Sequence, residues 1–456
     1  MSRADAIAAA AAYFDSGEFL ADLRRRVAFR TESQTEDERP ELRAYLEQEM
    51  VPAVRRLGAD ATVLDSPVAG TGPVMIARRH EGAELPTVLT YGHADVVLAE
   101  PAKWRAGLDP WQVTVEQDRW YGRGTADNKG QHTINLAAAE QVLRVRGRLG
   151  FNLTVLVETG EEDGSPGLRE FCARHRDELA ADVLIASDGP RVAATRPTVF
   201  LGSRGAAGFT LRVALRERSF HSGNWGGLLR NPATVLANAI ASMVDRQGRI
   251  LVPGLRPPPV PRDVRDALRT VPVGGGEDDP DVDEGWGEPG LTPAERVVAW
   301  NTLEVLSLAA GNPATPIGAI PGSAHAHCQL RFVVGTDIDN LAGILRDHLD
   351  RHGFPMVTVE QGLVMRATRM DQHDPWVRFA LDSLERTAGE PATLLPNLGG
   401  SLPNDVFAEE LGMCTVWIPH SYPACAQHAP NEHLLAPLAR QSLQLMAGLF
   451  WDLGAH

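Results

Sequence analysis

The sequence predicts an α/β protein: a mostly parallel sheet flanked by helices, interrupted by an inserted α+β domain. Three observations predict it. Apolar runs of strand length at 85–90, 151–157 and 183–186 each pass directly into a loop bearing histidine or acids. Helical stretches separate most of these runs, the pattern of a parallel sheet whose polar groups gather at one edge. From about Val199 the texture changes to alternating, antiparallel-type strands at 210–215 and 324–334, and sheet-type segments resume only after residue 350.

At 456 residues the chain exceeds one compact core. Residues 1–196 and 351–456 are therefore expected to form the sheet domain around an inserted domain at 197–350. Within that insert, 253–296 is rich in proline, glycine and acid, including Pro257-Pro258-Pro259 and Gly274-Gly275-Gly276-Glu277-Asp278-Asp279. It reads as a long surface insertion rather than core.

Taken in order, 17–58 reads as helical, with Leu42, Tyr45, Leu46, Met50 and Val54 opposite Glu41, Arg43, Glu47 and Arg55. Short β-like runs follow at 61–64 and 74–77. The run 85–90 is rich in β-formers and delivers His93 and Asp95 to its carboxyl end, the edge where open α/β sheets bind ligands. After a turn at Asp109-Pro110-Trp111 and a strand at 112–116, the segment 121–130 opens a helix reaching Leu143. The run 151–157 ends in Glu158-Thr159-Gly160-Glu161-Glu162, and a helix over 166–179 leads to 183–186 and Ser187-Asp188-Gly189. Beyond the insert come a helix at 375–387, Gly399-Gly400-Ser401, a strand at 414–418, His428 and a final helix from about 436.

A formal net charge of −15 disfavours nucleic acid or an anionic membrane as partner. No window approaches 18 apolar residues, so no membrane span is expected, and the N-terminus reads as a surface helix rather than a signal peptide. Cys172, Cys328, Cys414 and Cys425 form no C-x-x-C pair. They suit reduced thiols and a cytoplasmic location, and they leave any metal to His, Asp and Glu.

His93, Asp127, Glu161, Glu162, Asp188 and His428 supply the residue types for such a metal site. Two ions a few ångströms apart need a bridging carboxylate, flanking ligands and a free acid/base. Adjacent Glu161 and Glu162 can diverge, one to metal and one to water. A metal-bound histidine also needs its second nitrogen held by an acceptor, and Asp95 is the candidate. Each residue alone is commonplace, since strands often end in polar loops and glutamate pairs are usually solvated. Their joint occurrence points to a dinuclear centre.

Gly92-His93-Ala94-Asp95-Val96-Val97, Gly122-Arg123-Gly124-Thr125-Ala126-Asp127-Asn128-Lys129-Gly130, Glu161-Glu162-Asp163-Gly164-Ser165 and His428-Ala429-Pro430-Asn431-Glu432 resemble four metal-centre motifs. They are those of the co-catalytic zinc hydrolases that include carnosinase, glutamate carboxypeptidase, aminoacylase, acetylornithine deacetylase and succinyl-diaminopimelate desuccinylase. The resemblance implies a zinc-exopeptidase-like sheet domain and a lid domain through which the chain forms a homodimer. It implies two divalent ions, zinc with manganese or cobalt as substitutes: His93 and Asp188 on one, Glu162 and His428 on the other, Asp127 bridging. Glu161 becomes the general base, Asp95 the partner of His93, and Asp127–Asn128 a cis peptide. Phe220-His221-Ser222-Gly223 resembles the lid motif whose histidine steadies the oxyanion in the partner subunit's site. Arg331 matches the lid arginine that clamps a substrate carboxylate, and Gly399, Gly400 and Ser401 the loop beside it.

The expected activity is hydrolysis of an amide bond in a small carboxylate-bearing substrate. In this family an aspartate at the position of Asp188 tends to accompany aminopeptidase and dipeptidase activity, and a glutamate deacylases and carboxypeptidases, which favours a dipeptide. The alternative is an N-acyl-amino-acid deacylase, or an unusual amidohydrolase or deaminase acting on a non-peptide amine. A dinucleotide-binding oxidoreductase would need G-x-G-x-x-G after the first strand, and Gly122-x-Gly124 lacks the third glycine. A non-catalytic scaffold would need a damaged centre, whereas all six residues are present.

Overall fold

A computed structural model describes residues 1–35, 39–274 and 279–455. Residues 36–38 of the helical reading and Gly275-Gly276-Glu277-Asp278 of the glycine-acid tract lie outside the described residues.

The larger sheet contains β1 (Asp60–Leu64), β2 (Val74–Arg79), β3 (Thr87–His93), β4 (Asn152–Glu158), β5 (Val183–Ala186) and β6 (Thr198–Phe200). The smaller sheet contains β7 (Gly205–Ala214), β8 (Thr302–Ala310), β9 (Ser323–Phe332) and β10 (Val357–Met365). The chain then returns to the larger sheet with β11 (Thr393–Leu395) and β12 (Cys414–Trp417). The order in the eight-stranded sheet is β1-β2-β4-β3-β5-β12-β6-β11. Its centre, β4-β3-β5-β12, is parallel, while β1 and β2 enter antiparallel.

Strand periodicity explains the layering. Val88, Leu153, Val155, Val183 and Ile185 point into one apolar cluster, and Leu89, Leu156, Leu184 and Ala186 into the other. Helices Lys129–Arg146 and Ala436–Leu453 cover the first face. Lys129–Arg146 is buried from Lys129 through Val142 and stops at Gly147, which adopts the left-handed φ of +82° favoured at helix C-termini.

Two expectations need correction. The smaller sheet, ordered β8-β9-β7-β10, includes β10, so it extends past residue 350 to Met365. The segment 253–296 is also more than surface. Its helix Arg262–Leu268 and the following Pro293–Val298 bury Val264, Leu268, Ala294 and Val298 against Leu398 and Trp417 of the larger sheet's core. Composition hid this, because two short amphipathic turns sit within a proline- and glycine-rich tract. No described helix is long and apolar enough to cross a membrane.

Candidate metal centre

The parallel strands deliver their following loops to one edge. His93 ends β3, Glu161 and Glu162 follow β4, Asp188 follows β5, and His428 lies in the loop after β12. Asp127 precedes helix Lys129–Arg146, and the Asp127–Asn128 peptide is cis, as the resemblance implied.

These side chains converge. His93 Nε2 lies 3.0 Å from Asp127 Oδ1 and 3.5 Å from Asp188 Oδ2. His428 Nε2 lies 3.1 Å from Asp127 Oδ2 and 3.1 Å from Glu162 Oε2. Ligand-type atoms of His93, Asp127 and Asp188 fall within 4.8 Å of one another, and so do those of Asp127, Glu162 and His428. Asp127 belongs to both groups and turns one oxygen to each.

Asp95 does more than the sequence suggested. Its carboxylate accepts the backbone N–H groups of Glu161 at 3.2 Å and Glu162 at 3.0 Å. Its Oδ1 is 3.5 Å from His93 Nδ1, whose nearer neighbour is the Asp95 carbonyl at 3.1 Å. Asp95 thus ties the β3 loop to the β4 loop.

Residues 89–451 match the family described as Peptidase family M20/M25/M40. The chain belongs to this family. Beta-Ala-His dipeptidase of Mus musculus is 34% identical over 253 residues, covering 52% of this chain and 50% of that protein. Cysteinylglycine-S-conjugate dipeptidase of Corynebacterium striatum is 33% identical over 251 residues, covering 52% and 54%. The chain spans about half the length of the curated relatives it matches. Human carnosine dipeptidase 1 shares the fold with a TM-score of 0.82 at 22% identity, covering 99% of both chains. The M20 metallo-carboxypeptidase Sso-CP2 from Sulfolobus solfataricus does so at 0.84 and 24%, covering 96% of this chain and 100% of its own.

The donor set fits the divalent metals this family implies. Among the described residues Asp188 Oδ2 is buried without a hydrogen-bond partner, with His93 Nε2 3.5 Å away, a costly state for a carboxylate oxygen unless a cation meets it. Imidazole and carboxylate donors suit zinc-type ions. Electrostatics agree. Burial, then the Asp127 charge, pushes Glu162 to about 7 and Asp188 to about 6. Burial, reinforced by Asp188, Glu162 and Asp127, carries Glu161 well above the usual range. Burial also disfavours charge on His93, yet hydrogen bonds to Asp127 and Asp95 hold its pKa well above normal. Hydrogen bonds to Asp127 and Glu162 raise His428 to about 11. Burial would raise Asp127 too, but its two imidazole partners hold it far below the carboxylate range. The cluster is an acidic pocket short of positive charge.

The predicted substrate residues divide. Arg331 Nη1 donates to Ser401 Oγ at 2.7 Å, Ser401 Oγ donates to the Arg204 carbonyl at 2.8 Å, and Arg204 Nε donates to the Gly399 carbonyl at 2.7 Å. The smaller sheet and the glycine loop are therefore joined, with Gly400 against Leu398. His221 stands apart. It is exposed and caps the turn Ser222–Trp225, its Nδ1 accepting from Gly223 N–H at 3.1 Å. Among the described residues, no hydrogen bond or ion pair joins it to the ligand cluster.

Glu432 is the main residue that sequence reasoning left without a role. Its Oε1 accepts from Ala126 N–H at 2.9 Å and Asp127 N–H at 3.0 Å, and its Oε2 from Gly124 N–H at 3.0 Å and Arg123 Nη1 at 2.8 Å. It cradles the loop that carries the shared aspartate. Its place in His428-Ala429-Pro430-Asn431-Glu432 was the available signal. Gln427 was missed as well, and its Nε2 donates to Asp127 Oδ2 at 3.1 Å. By contrast, the polar Asn404 and Asp405 that follow the glycine loop hold the fold: Asn404 accepts from Trp417 Nε1 at 2.6 Å, and Asp405 pairs with Arg169 at 2.5 Å.

Proposed function

We propose that this chain is a metal-dependent dipeptidase that holds two divalent cations, zinc by donor chemistry, with manganese or cobalt as substitutes. The observation that carries the proposal is the pair of ligand groups sharing Asp127. In this reading His93 and Asp188 would hold one ion, Glu162 and His428 the other, and Asp127 would serve both. When bound, the ions would lower the pKa of a water and polarise the scissile carbonyl.

The chain's own residues do the rest. Glu161, buried beside the ligands with a pKa raised by that burial, takes the proton of the attacking water and passes it to the leaving amine. Asp95 fixes the orientation of His93 and anchors the Glu161–Glu162 backbone. Arg331, with Ser401 and the Gly399-Gly400 backbone, receives the substrate carboxylate. Residues 205–365 would form the lid, and His221 would complete the site of a second copy, donating to the oxyanion. Its exposure and its separation from its own cluster support that role. Exposed Leu228, Leu306, Leu308 and Ile317 give the lid an apolar surface for the homodimer. Four free cysteines suit a cytoplasmic location, and nucleic acid and membrane are not expected partners.

The test is Glu161→Gln. It should retain about two ions per chain by elemental analysis, while turnover of a dipeptide panel disappears. Retained turnover would overturn the role of Glu161. Cleavage of N-acyl amino acids or arylamines with no dipeptide cleavage would move the assignment to the alternative amidohydrolase reading.

A further inference from the structure

A cavity of about 680 Å³ opens against Pro190–Ala194, in the loop that follows the ligand Asp188, and the mechanism leaves it without an occupant. We infer that it is the specificity pocket for a large apolar side chain on the carboxyl-terminal residue of the substrate. This rests on the dipeptidase reading and deepens it.

The walls are apolar. Val192, Val271, Val297, Val298, Leu395 and Leu398 line the cavity, and Val298, Leu395 and Leu398 belong to the rigid core of the larger sheet. The volume lies in the usual range for a small-molecule pocket. Val271, Val297 and Val298 come from the proline- and glycine-rich region and the helix that ends it, which together build one side of it.

Its polar groups are already engaged. Arg191 lines the cavity, but its guanidinium donates to Pro419 O, Ala194 O, Gln441 Oε1 and Ser442 Oγ. Tyr422 shares its hydroxyl with His433 Nε2 at 2.6 Å. Asp279 also lines the cavity and has an interaction of its own. A charged side chain placed there would lose water without gaining a free partner, whereas an apolar one would not.

Position identifies which substrate residue enters. Leu398 Cδ2 would stand 2.9 Å from a Cβ at Gly189, directly after the ligand Asp188, so one wall of the cavity touches the metal loop. Gly399 also lines the cavity, and its carbonyl accepts from Arg204, whose own carbonyl accepts from Ser401, the partner of Arg331. A carboxylate received at Arg331 and Ser401 would leave the α-carbon attached to it on the Gly399 side. The side chain on that carbon then has the cavity beside it.

The experiment compares Gly-Gly, Gly-Ala, Gly-Leu and Gly-Phe with Gly-Gly, Ala-Gly, Leu-Gly and Phe-Gly on the metal-loaded protein. The expected kcat/KM for Gly-Phe exceeds that for Gly-Gly on the order of 100-fold, the scale of burying one large apolar side chain. Val297→Trp should narrow the cavity on its Gly399 side and reduce that ratio to about threefold or less, while Val297→Ala keeps it above about tenfold. Bound metal measured in each variant reports that the fold is intact. A preference confined to the X-Gly series, or a Gly-Phe ratio unmoved by Val297→Trp, would overturn the pocket.

If no dipeptide in either series is cleaved, the dipeptidase reading fails separately. Calorimetric binding of L-phenylalanine against L-alanine then decides the pocket without turnover. Tighter phenylalanine binding that Val297→Trp abolishes supports it, and equal binding of the two overturns it.

Discussion

The two halves of the metal centre are built differently. On one side His93 has a side chain 0% exposed, ends a central strand and is held from behind by Asp95. On the other, His428 has a side chain 58% exposed and sits in a loop at φ +57°, a conformation that non-glycine residues adopt sparingly. Ala426 and Asn431 in the same loop are also left-handed, at φ +59° and +66°. One half is set by a central strand of the sheet. The other sits in a loop tied to Asp127 and to the 124–127 backbone by the side chains of Gln427 and Glu432. The lesson is that a symmetric ligand list can conceal unequal preorganisation.

The strongest way to break this contrast is to remove what the halves share. Asp127→Ala should cost both ions and all turnover, read by elemental analysis and assay. Retention of one ion would mean that the halves are independent. Next, His428→Ala should keep the ion on the His93 side, whereas His93→Ala should disturb both sides. Graded chelation of the unaltered protein should likewise empty the His428 side first, visible as two separated steps in a metal titration. Equal losses in all three measurements would erase the distinction.

His221→Ala should lower kcat by about 10²–10³ with metal content unchanged, the scale of one oxyanion donor. Glu432→Gln sharpens the contrast further. Weakening the cradle under Asp127 should reduce metal affinity about 10- to 100-fold, as loss of an outer-shell partner does elsewhere, with the His428 side affected most.

The smallest effect concerns Glu158, at the end of β4 and hydrogen-bonded by Tyr91 and Ser165. Burial raises its pKa to about 7. The folded state therefore binds more protons than the unfolded one between the ordinary carboxyl pKa and about 7, so this group's contribution to stability falls as pH rises through that window. Glu158→Gln should raise Tm more at pH 8 than at pH 5, as thermal unfolding would show.

His93, the Glu161-Glu162 pair and Asp188 could be read because each follows an apolar run too short for a helix, and parallel strands place such endings together. The β10 strand was harder. Val357–Met365 is mostly exposed or half-buried, so its pattern lacks the clear alternation of a strand with one buried face. Glu432 could not be assigned because a glutamate in a loop looks solvated until tertiary structure brings the backbone of 124–127 to it. The packing of 253–296 escaped for a related reason: proline and glycine outnumber the few valines and leucines that anchor it.

The Glu432 cradle has a consequence for how the protein can be divided. Its four donors come from a stretch some three hundred positions earlier in the chain. An amino-terminal fragment ending before residue 428 would retain all four other ligands with their strands and helices, yet its Asp127 would hang from an unanchored loop. Cutting off the tail would thus misplace a residue that remains present, and mixing the two pieces back together should restore more than the missing histidine alone explains.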